Sequence, residues 1–479
     1  MNPLLIIGDS LLDRDLDGEA QRLAPDAPVP VVDLPRESTR PGGGALAATL
    51  AARDGRRVVL VTALGDDEPG RTVATLLEHA GVEVLDLTNG GATGQKVRVR
   101  AAGQPLLRLD YGGHTDAVGA PDAGVVARIT AARTILVSDY GRGVAAQPQV
   151  RAAISAATDA GARVVWDPHP RGPRPVAGTR AVTPNLAEAQ RATGTGDDAL
   201  PAVTAAAVAL RETWETAGVT ITLGARGALL VSGDGTPLMV PAPQVRGTPD
   251  PCGAGDRFAV SVAGAIADGA VLSEAVVGGV HAATAFVSGG GTATLGDAVG
   301  SSDDTSDSAH AGGDGPAHDG HTASDDPNTA LDLIAAVRAR GGTVVATGGC
   351  FDLLHAGHVR LLTDAAALGN CLVVCVNSDA SVRKLKGPGR PVVGERDRRA
   401  VLMALAAVDA VVLFDEDTPE RVLSQLRPDV WVKGADYAVA DLPEARLLAE
   451  WGGRAVVLPY LDGRSTTAMI KEAARHARN

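Results

Sequence analysis

A strongly polar stretch between Gly300 and Asn328 limits what this chain can fold into more than any other feature. Its sequence, GSSDDTSDSAHAGGDGPAHDGHTASDDPN, contains seven Asp, no Lys or Arg, and no Leu, Ile, Val or aromatic residue. Such a segment cannot bury enough apolar surface to offset the entropy lost on ordering, so we expect it to be disordered. Because a compact domain rarely contains so long an unstructured loop, residues 300–328 are predicted to be an acidic linker.

The length and charge of the chain set further limits. With 479 residues the chain is too long for one ordinary hydrophobic core, and the linker divides it into domains at 1–299 and 329–479. A net charge of −13 disfavours nucleic acid as a partner. No apolar run is long enough to span a membrane, and the N-terminus lacks basic residues before its short apolar run. We therefore expect a cytoplasmic protein that binds neither membranes nor nucleic acid.

The first domain alternates short apolar runs with alanine-rich stretches. Strands are predicted at 4–8, 57–65, 134–140, 163–168 and 218–224, and helices at 44–54, 70–80, 145–160 and 196–216. This alternation predicts a doubly wound α/β domain, in which helices cover both faces of a parallel sheet. Ligands of such sheets bind beyond the carboxyl ends of the strands, so polar residues that follow strands are the first site candidates. These candidates are Asp9, Asp139, Asp167, Asn185 and Gly224.

Two other segments, at 28–34 and 95–112, alternate apolar and polar residues. They predict antiparallel strands outside the main sheet, which would form a small lid over a substrate or cover a dimer interface. The second alternative predicts a homodimer through the first domain. Lys96, Arg98 and Arg108 would line one face of the lid, either near the substrate or as solvated strand charges.

A glycine-rich turn in DPCGAGDRF, residues 250–258, precedes an apolar helix that should run to about Gly269. The chain contains no GxxxxGK[ST] motif, so a P-loop is excluded as the phosphate site. Backbone N–H groups of Gly-Ala-Gly at a helix start can still approach an anion closely, and the helix dipole favours negative charge there. Asp256 could accept the proton of an attacking hydroxyl group or could cap the helix, and spacing alone does not decide between these roles.

Several motifs of the first domain resemble those of the ribokinase-type sugar kinases. DxxGAGD after a strand, GDSLLDR near the N-terminus, RPGGG at 40–44 and TPNLAE at 183–188 carry the resemblance. APDAPVPVVDL, PLLRLDYG and LVSDYGRG extend it to the kinase half of the bifunctional ADP-heptose synthesis enzymes. The resemblance implies a ribokinase-like kinase that uses ATP to phosphorylate D-glycero-β-D-manno-heptose 7-phosphate at O1.

The same resemblance implies roles for individual residues. Asp256 would be the catalytic base, and the backbone amides of Gly253, Ala254 and Gly255 would form the anion hole for the transferred phosphoryl group. The further implied residues are Asn185 and Glu188 for Mg²⁺ and the ATP phosphates, Gly224 and Gly227 for the nucleotide, and Asp9, Asp13, Gly43, Gly44, Lys96, Arg98 and Arg108 for the sugar. No side-chain cluster predicts direct metal ligation. Leu46 stands where the family usually has Asn, so the same chemistry on a different sugar phosphate is the alternative.

The second domain is predicted to open with a helix at 329–340 and the sequence TVVATGGCFDLLHAGHVRLL. A strand should end at Gly348-Gly349 and a helix should begin near His355, which places His355 and His358 on one helix face. Gly357 between them leaves room for a phosphate. Zinc binding is the rival interpretation, but no third ligand is evident nearby and a helix N-terminus favours an anion.

This region resembles the HxGH nucleotidyltransferases, which have a smaller Rossmann-like domain. VNSDASVRKLKG, RPVVGERDRR, VKGADY and STT match, in order, the adenylyltransferase half of the bifunctional ADP-heptose enzymes. The resemblance implies Mg²⁺-assisted adenylyl transfer from ATP to D-glycero-β-D-manno-heptose 1-phosphate, giving ADP-heptose and pyrophosphate without a covalent intermediate. A sugar-nucleotide-sensing protein with degenerate sites is the alternative of another class. The implied catalytic residues are His355, His358 and Lys386, and the implied nucleotide-binding residues are Gly349, Phe351, Asp352, Gly357, Lys384, Arg398, Gly434, Asp436, Ser465 and Thr466.

Overall fold

The structure is a computed structural model that describes residues 2–87, 90–102, 104–112, 118–233, 236–245, 247, 250–295, 327–435 and 442–459. Contacts divide the chain into two compact units, with the main boundary between residues 297 and 298. Most of the predicted linker lies outside the described residues. Its last two residues, Pro327 and Asn328, instead begin the first helix of the second unit. Proline is common at the first position of a helix, because its missing N–H would have no intrahelical partner there.

The described residues before position 298 contain thirteen strands and eight α-helices, and two residues of the last strand, Leu238 and Met239, are grouped by contacts with the second unit. The strands are β1 (Leu4–Gly8), β2 (Ser10–Leu23), β3 (Pro30–Gly43), β4 (Val58–Thr62), β5 (Glu83–Asp86), β6 (Gly94–Ala101), β7 (Gln104–Tyr111), β8 (Thr134–Ser138), β9 (Arg163–Asp167), β10 (Ala181–Val182), β11 (Gly218–Thr222), β12 (Ala228–Ser232) and β13 (Leu238–Val240). The helices are α1 (Gly44–Arg53), α2 (Glu68–His79), α3 (Ala123–Thr130), α4 (Pro148–Asp159), α5 (Leu186–Thr193), α6 (Leu200–Thr213), α7 (Ala254–Ala267) and α8 (Leu272–Ser288). Two short 3₁₀ helices lie at Gly224–Arg226 and Gly291–Leu295.

The main sheet of the first unit has the order β12-β11-β10-β9-β8-β1-β4-β5. Every described pair in it is parallel except β11 and β12, so the predicted parallel sheet is confirmed apart from one edge. The exception follows from the short connection between β11 and β12, because a turn of this length, between Thr222 and Ala228, can join only antiparallel neighbours. The strands β1, β4 and β8 are buried along their whole length, as expected for a sheet covered on both faces.

A second sheet of the first unit has the order β3-β2-β6-β7 and forms the lid. The predicted lid strands correspond to β3, β6 and β7, but β2 was not predicted because its outer half is an exposed, charged run without clear alternation. β2 follows β1 after the single residue Asp9, and it pairs antiparallel with β3 and parallel with β6. This register places Asp13 between Arg40 and Lys96, and Asp15 beside Arg98.

The second unit is a smaller α/β domain whose parallel sheet has the order β16-β15-β14-β17-β18. The predicted strand and helix around the two histidines are confirmed, since β14 ends at Gly349 and His355 caps the following helix. The strands are β14 (Val344–Gly349), β15 (Cys371–Asn377), β16 (Ala410–Phe414), β17 (Val430–Ala435) and β18 (Arg454–Pro459). The helices are α9 (Pro327–Ala339), α10 (Ala356–Ala366), α11 (Asp379–Lys386), α12 (Glu395–Met403), α13 (Glu420–Leu426) and α14 (Glu444–Ala449). Across the part of the chain that the structure describes, no helix has the length and apolar character needed to cross a bilayer.

Candidate active sites

The loop after β8 is held in place by Asp9. The carboxylate of Asp9 is 2 % exposed and accepts the backbone N–H groups of Tyr140 (3.0 Å), Arg142 (2.9 Å) and Val144 (2.9 Å). Three backbone donors satisfy a buried carboxylate that would otherwise be costly to remove from water. The side chain of Asp9, predicted to contact the sugar, is therefore used to hold the loop that presents Tyr140.

Tyr140 connects this loop to Asp256 in the first turn of α7. Its hydroxyl group lies 2.8 Å from both carboxylate oxygens of Asp256, which is 7 % exposed. Burial raises the pKa of Asp256 to about 6, while the Tyr140 hydrogen bond and the charge of Lys96 act in the opposite direction. Asp256 is thus an ionisable base in a closed environment. Tyr140 was not among the predicted site residues, although it follows Asp139 in the SDYGRG motif.

Several predicted sugar-site residues meet at the Tyr140 ring. The Lys96 ammonium lies 4.8 Å from the ring centroid. Gly43 has a φ of 61°, and a Cβ there would collide with the Asp9 carbonyl and lie 3.4 Å from Cδ2 of Tyr140. The backbone N–H of Gly44 donates to the same carbonyl at 2.9 Å. The structure therefore brings Asp9, Gly43, Gly44 and Lys96 to the residue that contacts Asp256.

The lid carries a buried cluster of opposite charges. Asp13 accepts a hydrogen bond from Arg98 at 2.9 Å, and Arg40 pairs with Asp15. The predicted sugar contacts Asp13 and Arg98 are consequently paired with each other, and their charges stabilise the register of the lid strands.

One of the three predicted cationic lid residues lies away from this group. Arg108 is exposed and pairs with Asp110 of the same outer strand at 2.7 Å, so the structure does not bring it to Tyr140. A lid residue that sequence reasoning did not select makes a different link. Arg100 of β6 pairs with Asp250, just before the glycine-rich turn, at 2.7 Å.

The glycine-rich turn requires its first glycine. Gly253 caps α7 with a φ of 78°, and a Cβ there would lie 2.7 Å from Cγ2 of Thr292 and 3.3 Å from Cδ2 of Leu46. Ala254 and Gly255 follow as the first residues of the helix, where backbone N–H groups have no intrahelical acceptor. Leu46 is buried and packs beneath this turn, which explains how an apolar residue is accommodated at that position.

Carboxyl groups gather at the carboxyl edge of the main sheet. Burial raises the pKa of Asp139 to about 7, and burial together with the charge of Asp256 raises the pKa of Asp167 well above its usual value. The Thr183 hydroxyl donates to Asp167 at 2.8 Å. Burial also raises the pKa of Glu188. Among the residues that the structure describes, no group of three or more His, Cys, Asp or Glu side chains is arranged to hold a metal ion.

The predicted nucleotide residues of the first domain lie at the same edge. Asn185 and Glu188 form a reciprocal capping box at the start of α5, with distances of 2.9 and 2.8 Å. Asn185 pairs with Thr222 at the end of β11, next to the turn that begins at Gly224. Gly227 has a φ of 99°, and a Cβ there would collide with the carbonyl of Val240.

The second domain has a cavity of about 160 Å³ at the carboxyl end of β14. The ring of His358, which lines this cavity, stacks on the His355 ring behind it at a centroid distance of 3.9 Å and lies 5.3 Å from the Phe351 ring. Burial, with the charges of His355 and Lys386, lowers the pKa of His358 to about 4, so this imidazole is neutral near pH 7. The lining residues are Gly348, Gly349, Cys350, Phe351, Asp352, His358, Leu361, Lys386, Lys433 and Gly434. Lys433, which sequence reasoning did not select, is the basic residue of the VKG motif.

Two residues of this domain that were predicted to contact the nucleotide have partners within the protein. Asp352 accepts the backbone N–H groups of Val392 (2.7 Å) and Val393 (3.0 Å) and pairs with Arg390. Asp352 lines the cavity, but its carboxylate oxygens already have hydrogen-bond and ion-pair partners within the protein.

The side chain of Arg398, which was predicted to contact the nucleotide, is 0 % exposed. Its guanidinium group donates to the carbonyls of Cys350 and Val393 and to Asp379. Arg398 therefore holds the loop that contains Cys350, at the cavity, through hydrogen bonds made from the protein interior.

The remaining predicted residues divide into three groups. Gly357 is buried in the first turn of α10, as expected for a close approach. Lys384 is exposed, pairs with Asp417 and does not line the cavity. Asp436, Ser465 and Thr466 lie outside the described residues.

Comparison with known proteins identifies both halves of the chain. Residues 1–297 match the pfkB family carbohydrate kinase model, and residues 346–471 match the cytidylyltransferase-like model. The bifunctional protein HldE of Streptomyces coelicolor is 53 % identical over 99 % of this chain and 97 % of its own length. The bifunctional protein HldE of Paramagnetospirillum magneticum is 37 % identical over 98 % of this chain and 96 % of its own length.

A structural comparison agrees on the fold of the first domain. A ribokinase of Arabidopsis thaliana, solved with ribose and ATP, matches 62 % of this chain and 96 % of its own length with a TM-score of 0.51 and 21 % identity. At that identity the match concerns the fold alone, and it confirms the predicted ribokinase-like architecture.

Proposed function

The chain belongs to the family of bifunctional HldE proteins, and on that premise we propose that its two domains catalyse two reactions of ADP-heptose synthesis. Its first domain is a sugar kinase and its second is a nucleotidyltransferase, and both use ATP. In the proposal the kinase phosphorylates D-glycero-β-D-manno-heptose 7-phosphate at O1. The nucleotidyltransferase joins D-glycero-β-D-manno-heptose 1-phosphate to the adenylyl group of ATP and releases pyrophosphate.

The observation that carries the kinase half is the position of Asp256. The carboxylate lies in the first turn of α7, directly after the glycine-rich turn whose N–H groups suit a phosphoryl group. With a pKa of about 6 it is largely ionised at neutral pH and can take the proton of the attacking sugar hydroxyl. The O1 oxygen then forms its bond to the γ-phosphorus as the bond to ADP breaks, and the amides of residues 253–255 stabilise the transferred group.

The cavity lined by His358 supports the transferase half. A neutral His358 can donate an N–H to a phosphate oxygen, and the Lys386 and Lys433 ammonium groups supply positive charge in the same cavity. A sugar-phosphate oxygen forms a bond to the α-phosphorus while the bond to pyrophosphate breaks. No side-chain nucleophile is needed, so the proposal contains no covalent intermediate.

We include Mg²⁺ in both reactions. In the first domain Asn185 and Glu188, at the start of α5 beside the end of β11, would hold this ion together with the ATP phosphates, because their side-chain oxygens are ligands that Mg²⁺ accepts. Mg²⁺ supplies charge neutralisation for the ATP phosphates. Since both reactions consume ATP, the proposal places the enzyme in the cytoplasm.

A homodimer through the lid is also part of the proposal. Six large apolar side chains of the lid are between 45 % and 63 % exposed, and exposed apolar side chains of this size suit a protein interface. They are Leu23, Val29, Leu34, Leu106, Leu107 and Tyr111. Sedimentation equilibrium of the full chain tests this, with a monomer mass at micromolar concentration as the contradicting result.

The buried Leu46 favours a second candidate, in which the kinase acts on a different sugar phosphate. An apolar residue beneath the glycine-rich turn offers no hydrogen bond to a sugar hydroxyl. The deciding experiment incubates the full chain with ATP and a panel of sugar phosphates and identifies products by mass spectrometry. Higher kcat/KM for a sugar phosphate other than the heptose would replace the heptose assignment.

A further inference from the structure

Lys433 lies at the point of the second-domain sheet where ligands of this fold class bind. The chain passes from β14 to β15 and β16 on one side, and then returns to β17 and β18 on the other side of β14. Open parallel sheets bind ligands beyond the carboxyl ends of the strands that flank such a reversal. Lys433 belongs to β17 and lines the cavity together with Gly348 and Gly349 of β14. We therefore expect its charge to act on a phosphate bound in this cavity.

The indole ring of Trp431 gives Lys433 a fixed surface on one side. The two residues are two positions apart in β17, so their side chains leave the same face of the sheet. Trp431 is fully buried, and a Cβ at Gly348 would lie 2.5 Å from its Cη2, so the ring fills the space beside that glycine. The Lys433 ammonium group lies 5.8 Å from the ring centroid, within the range of a cation–π contact.

Glu444, the first residue of α14, pairs with the same ammonium group. Its Oε1 accepts a hydrogen bond from Nζ of Lys433 at 3.2 Å. The side chain of Glu444 is 7 % exposed, whereas that of Lys433 is 39 % exposed. Among the residues that the structure describes, Oε2 of Glu444 is buried and has no hydrogen-bond partner. The pair thus joins a buried carboxylate to an ammonium group that still reaches the cavity.

A role in stability alone does not account for this carboxylate. Removing a carboxylate from water is costly, and one ion pair with a partly exposed lysine repays little of that cost. An acidic residue in the first turn of a helix does interact favourably with the helix dipole, but that interaction does not require burial. A buried polar atom without a partner is often found at a functional position. Control of the Lys433 ammonium group gives Glu444 such a function.

We propose that Glu444 is a positioning residue for adenylyl transfer, which holds the Lys433 ammonium group where negative charge develops on the reacting phosphates. This inference rests on the proposed function of the second domain and deepens it, because Glu444 is not among the residues that line the cavity. Trp431 and Glu444 fix the ammonium group from two sides, and its remaining N–H groups stay available to a phosphate. A donor that is already in place stabilises the transition state without rearrangement during the reaction. Glu444 should therefore affect kcat more than KM.

The experiment measures pyrophosphate release by the full chain from ATP and D-glycero-β-D-manno-heptose 1-phosphate. Glu444→Gln keeps the size of the side chain and a hydrogen-bond acceptor but removes the charge that holds Lys433. We expect kcat to fall about 10- to 100-fold while the KM of each substrate changes less than about threefold. Asp364→Asn is the matched control and should leave kcat unchanged, because Asp364 is 14 % exposed, pairs with Arg360 at 2.8 Å and does not line the cavity.

A double-mutant cycle tests whether Glu444 acts through Lys433. Lys433→Gln should lower kcat at least as much as Glu444→Gln does, and the double variant should lose no more activity than Lys433→Gln alone. Losses that multiply would give Glu444 a role independent of Lys433 and overturn the inference. A wild-type kcat in Glu444→Gln, or a rise in the KM of ATP alone, would also overturn it.

Lysine acetylation, followed by mass spectrometry of peptides, examines the pair without turnover. The ammonium group must leave its carboxylate before it reacts, so Lys433 should be acetylated several-fold faster in Glu444→Gln than in the wild type, with Lys384 as the internal reference. Equal rates would show that Glu444 does not hold Lys433 and would overturn the inference. Failure of the proposed function gives a different result, since the wild type then releases no pyrophosphate with the heptose 1-phosphate. The cycle is in that case measured with the sugar 1-phosphate that the wild type does use.

Discussion

The hydroxyl group of Tyr140 lies 2.8 Å from both carboxylate oxygens of Asp256, although the two residues are 116 positions apart in the chain. A hydroxyl donor stabilises the ionised form of a carboxyl group and lowers its pKa. In this site that effect opposes burial, which raises the pKa of Asp256. Tyr140 thereby keeps a buried carboxyl group available as a base near neutral pH.

Replacement of Tyr140 by Phe should move the acid limb of the kinase pH profile. Loss of the hydroxyl raises the pKa of Asp256 above about 6, so a larger fraction is protonated and inactive at pH 7. We expect the acid limb of kcat/KM to shift up by about one pH unit, with a smaller loss at pH 8.5. An acid limb that stays in place would show that Tyr140 does not tune the base. Adenylyl transfer by the same protein serves as the control.

The two activities should be separable by single substitutions. Asp256→Asn removes the proposed base and should lower the phosphorylation kcat by about 10²- to 10⁴-fold while leaving adenylyl transfer unchanged. His358→Ala removes a donor from the cavity of the second domain and should give the reverse result. Both reactions are followed by release of ADP and of pyrophosphate. If neither substitution altered ATP consumption, the assignment of both sites would be wrong.

Arg398→Lys should lower the stability and the adenylyl-transfer activity of the second domain, because it loosens the loop that Arg398 holds. A lysine keeps the charge but cannot reach two carbonyls and a carboxylate together. We expect about 2–4 kcal/mol of lost stability and a fall in the kcat of adenylyl transfer that exceeds any change in the KM of ATP. Denaturant unfolding and steady-state kinetics measure the two effects.

Lys384→Gln is the control for that experiment, since the exposed Lys384–Asp417 pair should contribute only about 0–1 kcal/mol. If Arg398→Lys raised the KM of ATP alone and left stability unchanged, a direct contact between Arg398 and the nucleotide would be the better interpretation.

Two glycines of the turn after β11 form a matched pair. Gly227→Ala introduces a Cβ where the Val240 carbonyl already lies, whereas a Cβ at Gly224 would meet nothing within 4 Å. Both residues have positive φ, so both substitutions strain the backbone, and only Gly227→Ala must also displace a neighbour. We expect the KM of ATP for phosphorylation to rise several-fold more for Gly227→Ala. Equal effects would remove this turn from the nucleotide site.

Much of the fold was readable from local pattern. Buried strands such as β1, β4 and β8 are continuous apolar runs, and helices such as α4 follow them at regular intervals, so period and length identified them. The strand β2 was not predicted because its outer half is exposed and its charged residues show no clear alternation of apolar and polar positions. The edge pair β11–β12 is antiparallel because of the length of one turn, which a general strand–helix alternation does not reveal.

The sequence alone determined the chemistry-bearing segments, because the glycine-rich turn before Asp256 and the HxGH segment around His358 each depend on residues adjacent in the chain. Only the tertiary structure decided how individual side chains are used. Asp9 holds a loop, Arg398 is fully buried, and Tyr140 reaches Asp256. These roles depend on which distant elements pack together, and on which buried polar groups then need a hydrogen-bond partner. The spacing of residues along the chain does not contain that information.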